Sequence, residues 1–308
     1  MCDPETFLIA VYVLADAFCK THLPPERRPG PPAALDRSEV VTLAVLGQWD
    51  RFRSERDCWR SADACLRPSF PRLPSRPPFN RQLRRPQAAI TAFAHWLAAQ
   101  LGAATTPYEA MDGTAVPTRN AKRRGRGWLA GIAASGRCLR RGWIYGLRLL
   151  VCVTPDGIVT GWGVGPANAN DHVLAETLLT VRATPPPALA SVGPARSGVS
   201  VADSGFAGRD RERHWAAAQH ADVVASPPPD SHRRWSKPDR RWLAGRRQIV
   251  ATVIGRLESA FRLDRERPHA LDGFQARLAA KIALHNVCCC LNRQRGQPLL
   301  TLADLFGW

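Results

Sequence analysis

The stretch Tyr108-Glu-Ala-Met-Asp-Gly-Thr-Ala-Val-Pro117 is a short, mostly apolar run with a carboxylate, Asp112, near its middle. A run of this kind, followed by a small turn residue and a proline, predicts a β-strand. A carboxylate in a buried strand is costly to desolvate unless it is paired or binds a cation. Asp112 is therefore the first candidate ligand of a cation.

A second acid stands in a similar setting. In Val199-Ser-Val-Ala-Asp-Ser-Gly-Phe206, Asp203 ends another short predicted strand, just before a glycine turn. Two acids at two strands of a basic chain predict a divalent-metal site that acts on nucleic acid. The alternative is that both aspartates are ordinary turn residues at strand ends. Their joint occurrence, in this order, favours the metal site.

The charge balance indicates a polyanionic partner. The 308 residues include 43 basic and 26 acidic side chains, which gives a net charge of +17 and a pI near 10.6. Charge of this sign and size favours binding to DNA or RNA. Nearly all the basic residues are arginine, which suits bidentate phosphate contacts. The alternative is that the arginines reflect a GC-rich coding sequence.

The basic residues form two clusters. The stretch from Thr118 to Arg148 contains no acid, and the stretch from Ser231 to Arg247 contains only Asp239. Trp235 and Trp242 lie within the second cluster, where aromatic rings could stack on bases. A solvated surface is the alternative. The DNA-binding candidates are Arg119, Lys122, Arg123, Arg124, Arg126, Arg148, Arg233, Arg234, Lys237, Arg240, Arg241 and Arg247.

The nine cysteines point to a reducing compartment without a zinc site. They form no CxxC pair, and Cys288, Cys289 and Cys290 lie in an apolar helical run that predicts burial. The apolar run 7–19 follows two acids and contains Asp16, so we expect neither a signal peptide nor a membrane span. The expected location is cytoplasmic, with nucleoid association when DNA is bound.

The order of predicted elements separates a helical region from an α/β region. We expect an all-helical domain at 1–104, an α/β core at 105–292 and a tail at 293–308. The predicted helices are 5–21, 36–49, 53–66, 86–101, 171–183, 246–263 and 274–292. The predicted strands are 108–117, 127–134, 142–154, 157–164, 198–203 and 221–226. The pair 142–154 and 157–164 flanks Pro155-Asp156-Gly157, which predicts a hairpin. A mixed sheet flanked by helices in this order fits an RNase H-like core.

An ordered series of short motifs makes the chain resemble bacterial insertion-sequence transposases of the DDE class. The motifs are at 35–43, 70–73, 111–117, 145–151, 156–157, 166–171, 202–206, 265–273 and 279–286. The resemblance implies metal-dependent cleavage at transposon ends and strand transfer into target DNA. The implied partner is double-stranded DNA, and synapsis of two ends implies a homodimer.

The resemblance assigns two of the three expected catalytic acids. Asp112 and Asp203 match the first two, which hold two Mg²⁺ or Mn²⁺ ions in the family. The third acid is expected four residues after a matching arginine, Arg247, and that position is Ala251. Glu258 lies on the same predicted helix face, but about 10.5 Å further along.

A glutamate at 258 is interpreted as a surface residue paired with Arg262, unless the helix register is shifted. Ser204 and Leu150 also stand where the family usually has a lysine and a histidine. The sequence therefore leaves two functions open, an impaired transposase and an inactive DNA-binding relic. A basic RNA-binding protein is a third option, although no RRM or KH pattern occurs.

Overall fold

The fold is given by a computed structural model of the chain. It describes residues 3–25, 33–49, 52, 54–119, 129, 131–138, 142–192, 198–227, 232, 235–302 and 305, without the side chains of Arg119 and Ala188. The basic candidates Lys122, Arg123, Arg124, Arg126, Arg233 and Arg234 lie outside the described residues, as does the side chain of Arg119.

In the described residues before the sheet there are five α-helices, and local capping explains where several begin. They are α1 (Pro4–His22), α2 (Arg37–Leu46), α3 (Glu55–Cys65), α4 (Arg76–Arg84) and α5 (Gln87–Gln100). Asp36 caps α2 in a capping box, in which its carboxylate and that of Glu39 each accept a backbone N–H. The helix α4 was not predicted, since its proline-rich start resembles a turn, although proline is well tolerated in a first helical turn.

The sheet combines antiparallel and parallel pairing. Its strands are β1 (Glu109–Arg119), β2 (Ala134–Cys138), β3 (Gly142–Val153), β4 (Val159–Pro166), β5 (Val199–Ala202) and β6 (Asp222–Ala225). The order is β2-β3-β1-β5-β6, and β4 also pairs with β3. Strand β3 is antiparallel to its neighbours β1, β2 and β4, whereas β5 runs parallel to its neighbours β1 and β6. The expected RNase H-like arrangement is confirmed.

Turn chemistry and a crossover helix determine this connectivity. Gly157 adopts φ of 89° in the β3–β4 hairpin, a conformation that favours glycine, and the predicted hairpin is confirmed. The helix α6 (Asp171–Ala183) has the predicted bounds and carries the chain towards β5. The four-residue helix α7 (Pro187–Ala190) follows, within a segment predicted to be loop.

The structure differs from the predicted elements at further places. The strand predicted at 127–134 begins only at Ala134, and residues 131–132 form a turn, while 127, 128 and 130 lie outside the described residues. The helix α8 (Arg209–Gln219) was not predicted, because its charged surface lacks a clear apolar periodicity. The helix α9 (Lys237–Ser259) begins nine residues earlier than predicted, and α10 (Leu271–Gln294) follows it.

A continuous hydrophobic core joins the first hundred residues to one face of the sheet. Phe18, Phe93, Val151, Leu257 and Phe274 all belong to this cluster. The side chain of Asn286 on α10 ties the layers together, because it bonds with Ala94 on α5 and Val159 on β4. The other face of the sheet packs against α6 and α8 through a second cluster that includes Met111, Leu150 and Trp215.

The predicted burial of three consecutive cysteines is confirmed, and a histidine is buried beside them. Cys288, Cys289 and Cys290 are buried, and burial raises the pKa of Cys289 and Cys290 to about 12. His285 is fully buried, its Nε2 lies 2.8 Å from the carbonyl oxygen of Gly157, and burial lowers its pKa to about 4. Among the described helices, none has the length and apolar character needed to cross a membrane.

Candidate metal and DNA site

Asp112 lies on β1, on the face of the sheet that packs against α9. Its side chain is 27% exposed, and its Oδ1 accepts the Gly113 N–H at 2.8 Å. Burial raises its pKa, and the nearby carboxylates of Asp203 and Asp171 act in the same direction. The guanidinium of Arg247 and the Gly113 N–H oppose this rise. Asp112 is thus an incompletely compensated carboxylate at a partly open surface.

Asp203 follows β5 directly and caps a short 3₁₀ turn, Ser204–Phe206. Its Oδ1 accepts the Gly205 N–H at 2.8 Å, and its side chain is 41% exposed. Strand β5 pairs in parallel with the start of β1, so Asp203 lies near Asp112 on the neighbouring strand. The interpretation of Asp203 as a turn residue and its interpretation as a candidate ligand are therefore compatible.

One arginine contacts both acids. Nη2 of Arg247, on α9, lies 3.4 Å from Oδ2 of Asp112 and 3.7 Å from Oδ2 of Asp203. Both contacts are longer than a strong charge-assisted hydrogen bond. The Arg247 Nε is buried and has no hydrogen-bond partner in the described part of the chain. The guanidinium therefore balances the acid pair without satisfying either carboxylate.

A second ion pair lies on the opposite face of β1. Arg148 on β3 donates two hydrogen bonds to the carboxylate of Asp171, which raises the pKa of the guanidinium. Gly113 makes room for this pair, because a Cβ there would lie 2.3 Å from Asp171 Oδ1. Asn170 occupies the N-cap position of α6, and Asp171 is the first residue of the helix.

The expected third acid is absent from its position on α9. Ala251 is exposed and lies four residues after Arg247, hence on the same side of the helix. Glu258 is not the predicted surface residue. It is 7% exposed, and its Oε1 accepts the Thr114 hydroxyl at 2.9 Å. Among the described residues, no group of three or more His, Cys, Asp and Glu side chains is placed to hold a metal ion.

Several predicted DNA-binding residues lie along the first turns of α9. Lys237, Arg240 and Arg241 are exposed there. Trp242 is 52% exposed, and the Arg246 guanidinium lies 5.6 Å from its ring and 5.9 Å from the Tyr108 ring. Trp235 instead packs against the hydrophobic core. Of the basic candidates, Arg148 is already paired with Asp171, and Arg247 belongs to the acid pair.

Sequence reasoning missed a buried acid at the start of β1. Glu109 has a side chain only 1% exposed, and Arg182 on α6 lies 2.5 Å from its Oε1. The hydroxyls of Thr160 and Ser200 donate to the same carboxylate at 2.6 and 3.0 Å. The available signal was an acid three residues before Asp112, a spacing that places it on the other face of the strand.

The mixed sheet, with one acid on β1 and another directly after β5, defines an RNase H-like protein with a candidate acidic site. The family profile described as "Transposase DDE domain" matches residues 109–287, which is more than half of the chain. The chain belongs to this family. Searches of curated proteins and of solved structures each returned no significant match.

Proposed function

We propose that this transposase-family protein binds double-stranded DNA and that Asp112 and Asp203 form its catalytic metal site. The observation that supports the proposal is the approach of these two carboxylates to the same nitrogen of Arg247. Half-exposed carboxylates held near each other with incomplete compensation suit an exchangeable cation. The reaction is cleavage at transposon ends, followed by strand transfer into target DNA.

The residues present fit one divalent ion better than two. Mg²⁺ and Mn²⁺ prefer oxygen ligands, and Asp112 and Asp203 supply carboxylate oxygens at the place where Arg247 now provides positive charge. A bound ion would supply an activated water or hydroxyl and stabilise the leaving oxygen. The ligand expected for a second ion is missing, because position 251 is alanine.

The chain's own groups have distinct roles in this proposal. Asp112 and Asp203 hold the cation, and the cations along α9 orient the phosphate backbone. Water displaces the 3′-oxygen of one strand at a transposon end, which leaves a 3′-hydroxyl and a 5′-phosphate. That 3′-hydroxyl then attacks a target phosphodiester and displaces a target 3′-oxygen. Two ends must be brought together, so we propose a homodimer for the complete reaction.

The missing third acid supports a second candidate, an inactive relic that still binds DNA. Loss of a group that stabilises the transition state costs about 10²–10³-fold in rate. Ala251 therefore predicts weak cleavage at best. The relic predicts DNA binding that falls with salt and no nicking dependent on metal.

A nicking assay with supercoiled DNA separates these two functions. Under the transposase proposal, Mn²⁺ supports slow nicking by the natural chain, and Asp112→Asn and Asp203→Asn abolish it. Arg60→Gln, an exposed change on α3, is the control and should leave the rate unaltered. Nicking that survives Asp112→Asn would refute the site, and the absence of any nicking together with retained DNA binding would establish the relic.

We also assign to DNA all twelve basic candidates, because they lie in the two basic clusters of the sequence. They are Arg119, Lys122, Arg123, Arg124, Arg126, Arg148, Arg233, Arg234, Lys237, Arg240, Arg241 and Arg247. We further propose that residues 1–104 aid binding of the transposon end, that 105–292 carry the chemistry and that 293–308 form a tail.

A further inference from the structure

A second positively charged surface lies between the N-terminal helices and the segment that follows α9. It is an open cavity of about 620 Å³. One wall carries Arg56, Arg76 and Arg84, from α3 and α4. The other wall carries Arg262, Arg265, Arg267, Arg277 and Lys281. We call this surface the distal basic groove.

The two acids that line the groove are fully engaged by its inner cations. Glu55 pairs with Arg84 at 2.6 Å and with Arg277 at 3.0 Å. Glu266 pairs with Arg277 at 2.9 Å and with Lys281 at 3.1 Å. Burial alone would raise the pKa of Glu266, yet these two cations hold it below its usual range. Glu266 is therefore ionised and balanced inside the protein.

The outer arginines consequently give the groove a net positive charge. Arg56, Arg76, Arg265 and Arg267 are exposed, and of the residues that the structure describes, none of the others that line the cavity is acidic. The ion pairs of Glu55 beneath them link α3 to α4 and α10. A concave surface rimmed by arginines is suited to phosphate oxygens, since guanidinium groups bind them in pairs of hydrogen bonds.

The groove lies at one end of α9, away from the acid pair. Arg247 contacts Asp112 and Asp203, and α9 runs from there to Ser259, three residues before Arg262. The helix rises about 18 Å over that distance. This corresponds to roughly five base pairs of a DNA duplex. A duplex bound at the acids could therefore reach the groove within a single helical turn.

We propose that the distal basic groove binds the phosphate backbone of the DNA duplex that occupies the acid pair. The choice of DNA as partner rests on the proposed function. The groove is built jointly by α3, α4 and the segment 262–281, so the N-terminal helices take a direct part in DNA binding. The DNA-binding candidates predicted from sequence include none of the arginines of this groove.

The test measures duplex binding in EDTA, which removes any dependence on metal or cleavage. The two groove variants are Arg265→Glu/Arg267→Glu and Arg56→Glu/Arg76→Glu, one for each wall. The matched control is Arg293→Glu/Arg295→Glu, which makes the same charge change on exposed arginines at the far end of α10. Thermal unfolding checks that each variant is folded.

We expect each groove variant to weaken binding to a short DNA duplex at least tenfold more than the control does. The slope of log K against log salt should become shallower by about 1.8 for two lost phosphate contacts. Because the slope counts the phosphate contacts of the measured complex, this change would show that the groove's arginines contact the bound duplex.

Equal losses and equal slopes in the groove and control variants would overturn the proposal, as would a loss confined to an RNA duplex. If the variant of one wall does not fold, the binding affinity of the other wall's variant tests the proposal. If the natural chain shows no nicking but the groove variants show these binding losses, the proposed catalysis is refuted and DNA binding by the groove is supported. If the natural chain nicks DNA but the groove variants bind like the control, only the proposal for the groove is refuted.

Discussion

Strand β1 carries two acids, Glu109 and Asp112, that differ in burial and in the number of their hydrogen-bond partners. Glu109 faces α6, is sealed from solvent, and receives hydrogen bonds from Arg182, Thr160 and Ser200. Asp112 faces α9 and stays 27% exposed, and among the described residues its side chain has the Gly113 N–H and a 3.4 Å contact from Arg247 as partners. One carboxylate is fully satisfied, whereas the other retains capacity for a ligand.

This contrast shows how a structural acid and a candidate catalytic acid differ within one strand. A buried charge is tolerated when its partners match it in number and geometry, as for Glu109. A group left with a raised pKa and unfilled hydrogen-bonding capacity at a partly open surface is a functional-site candidate, as for Asp112. Substitutions at the two positions should therefore separate stability from activity.

The largest expected effect is on stability, from Glu109→Gln. It leaves the buried Arg182 charge without its counterion, so we expect a loss of about 3–5 kcal/mol in the free energy of unfolding. Urea denaturation followed by circular dichroism measures this, with the exposed Glu5→Gln as control. A loss below about 1 kcal/mol would show that Glu109 is no more structural than an exposed acid.

The next effect is a gain of activity from Ala251→Glu. This change restores a carboxylate one helical turn after Arg247, on the side of α9 that faces the acid pair. We expect nicking in Mn²⁺ to rise by about 100-fold. Thr252→Glu, the adjacent exposed position, is the control and should not raise the rate. Equal rates for both variants would contradict the assignment of position 251.

A smaller effect concerns Arg247, which provides positive charge where the proposed ion would bind. Arg247→Met keeps most of the side-chain volume and removes the charge that competes with the cation. We expect Mn²⁺ to bind about tenfold more tightly, which corresponds to about 1.4 kcal/mol. Isothermal titration calorimetry measures the affinity, and Arg246→Met is the control. Weaker Mn²⁺ binding in the Arg247 variant would mean that the guanidinium supports the ion site.

Local patterns predicted much of this architecture. The apolar run around Asp112, the hairpin glycine Gly157 and the crossover helix 171–183 each depend on neighbouring residues, and the structure has all three. The start of α9 was missed, because Pro238 and the arginines around it resemble a loop, although proline fits a first helical turn.

The contacts that define the site depend on residues far apart in the chain. The Arg247 contact with Asp112 joins residues 135 positions apart, and the Glu109–Arg182 pair joins residues 73 positions apart. No periodicity in the sequence reports which strand face meets which helix. For the same reason, a surface-exposed Glu258 was predicted, whereas packing of α9 against β1 buries it beside Thr114.

The smallest effect is expected for the stability of Asp112→Asn, the counterpart of Glu109→Gln. Asparagine keeps the size of the side chain and its acceptor for the Gly113 N–H, while Arg247 retains Asp203 as an ionic partner at 3.7 Å. We therefore expect the free energy of unfolding at neutral pH to change by less than about 1 kcal/mol, in favour of the variant.

The raised pKa of Asp112 determines how the stability difference between Asp112→Asn and the natural chain depends on pH. Burial raises the pKa of Asp112 above 3.8, so the folded chain holds that proton more tightly than the unfolded chain. The aspartate thus favours folding below its unfolded-state pKa, and this contribution is lost as pH rises through the raised value. The stability difference between Asp112→Asn and the natural chain should accordingly grow in favour of asparagine as pH rises from 4 towards 7. Chemical denaturation at several pH values measures it. If Asp112→Asn lowered the free energy of unfolding as much as Glu109→Gln does, and equally at every pH, Asp112 would be a structural acid. The two acids of β1 would then not differ in role.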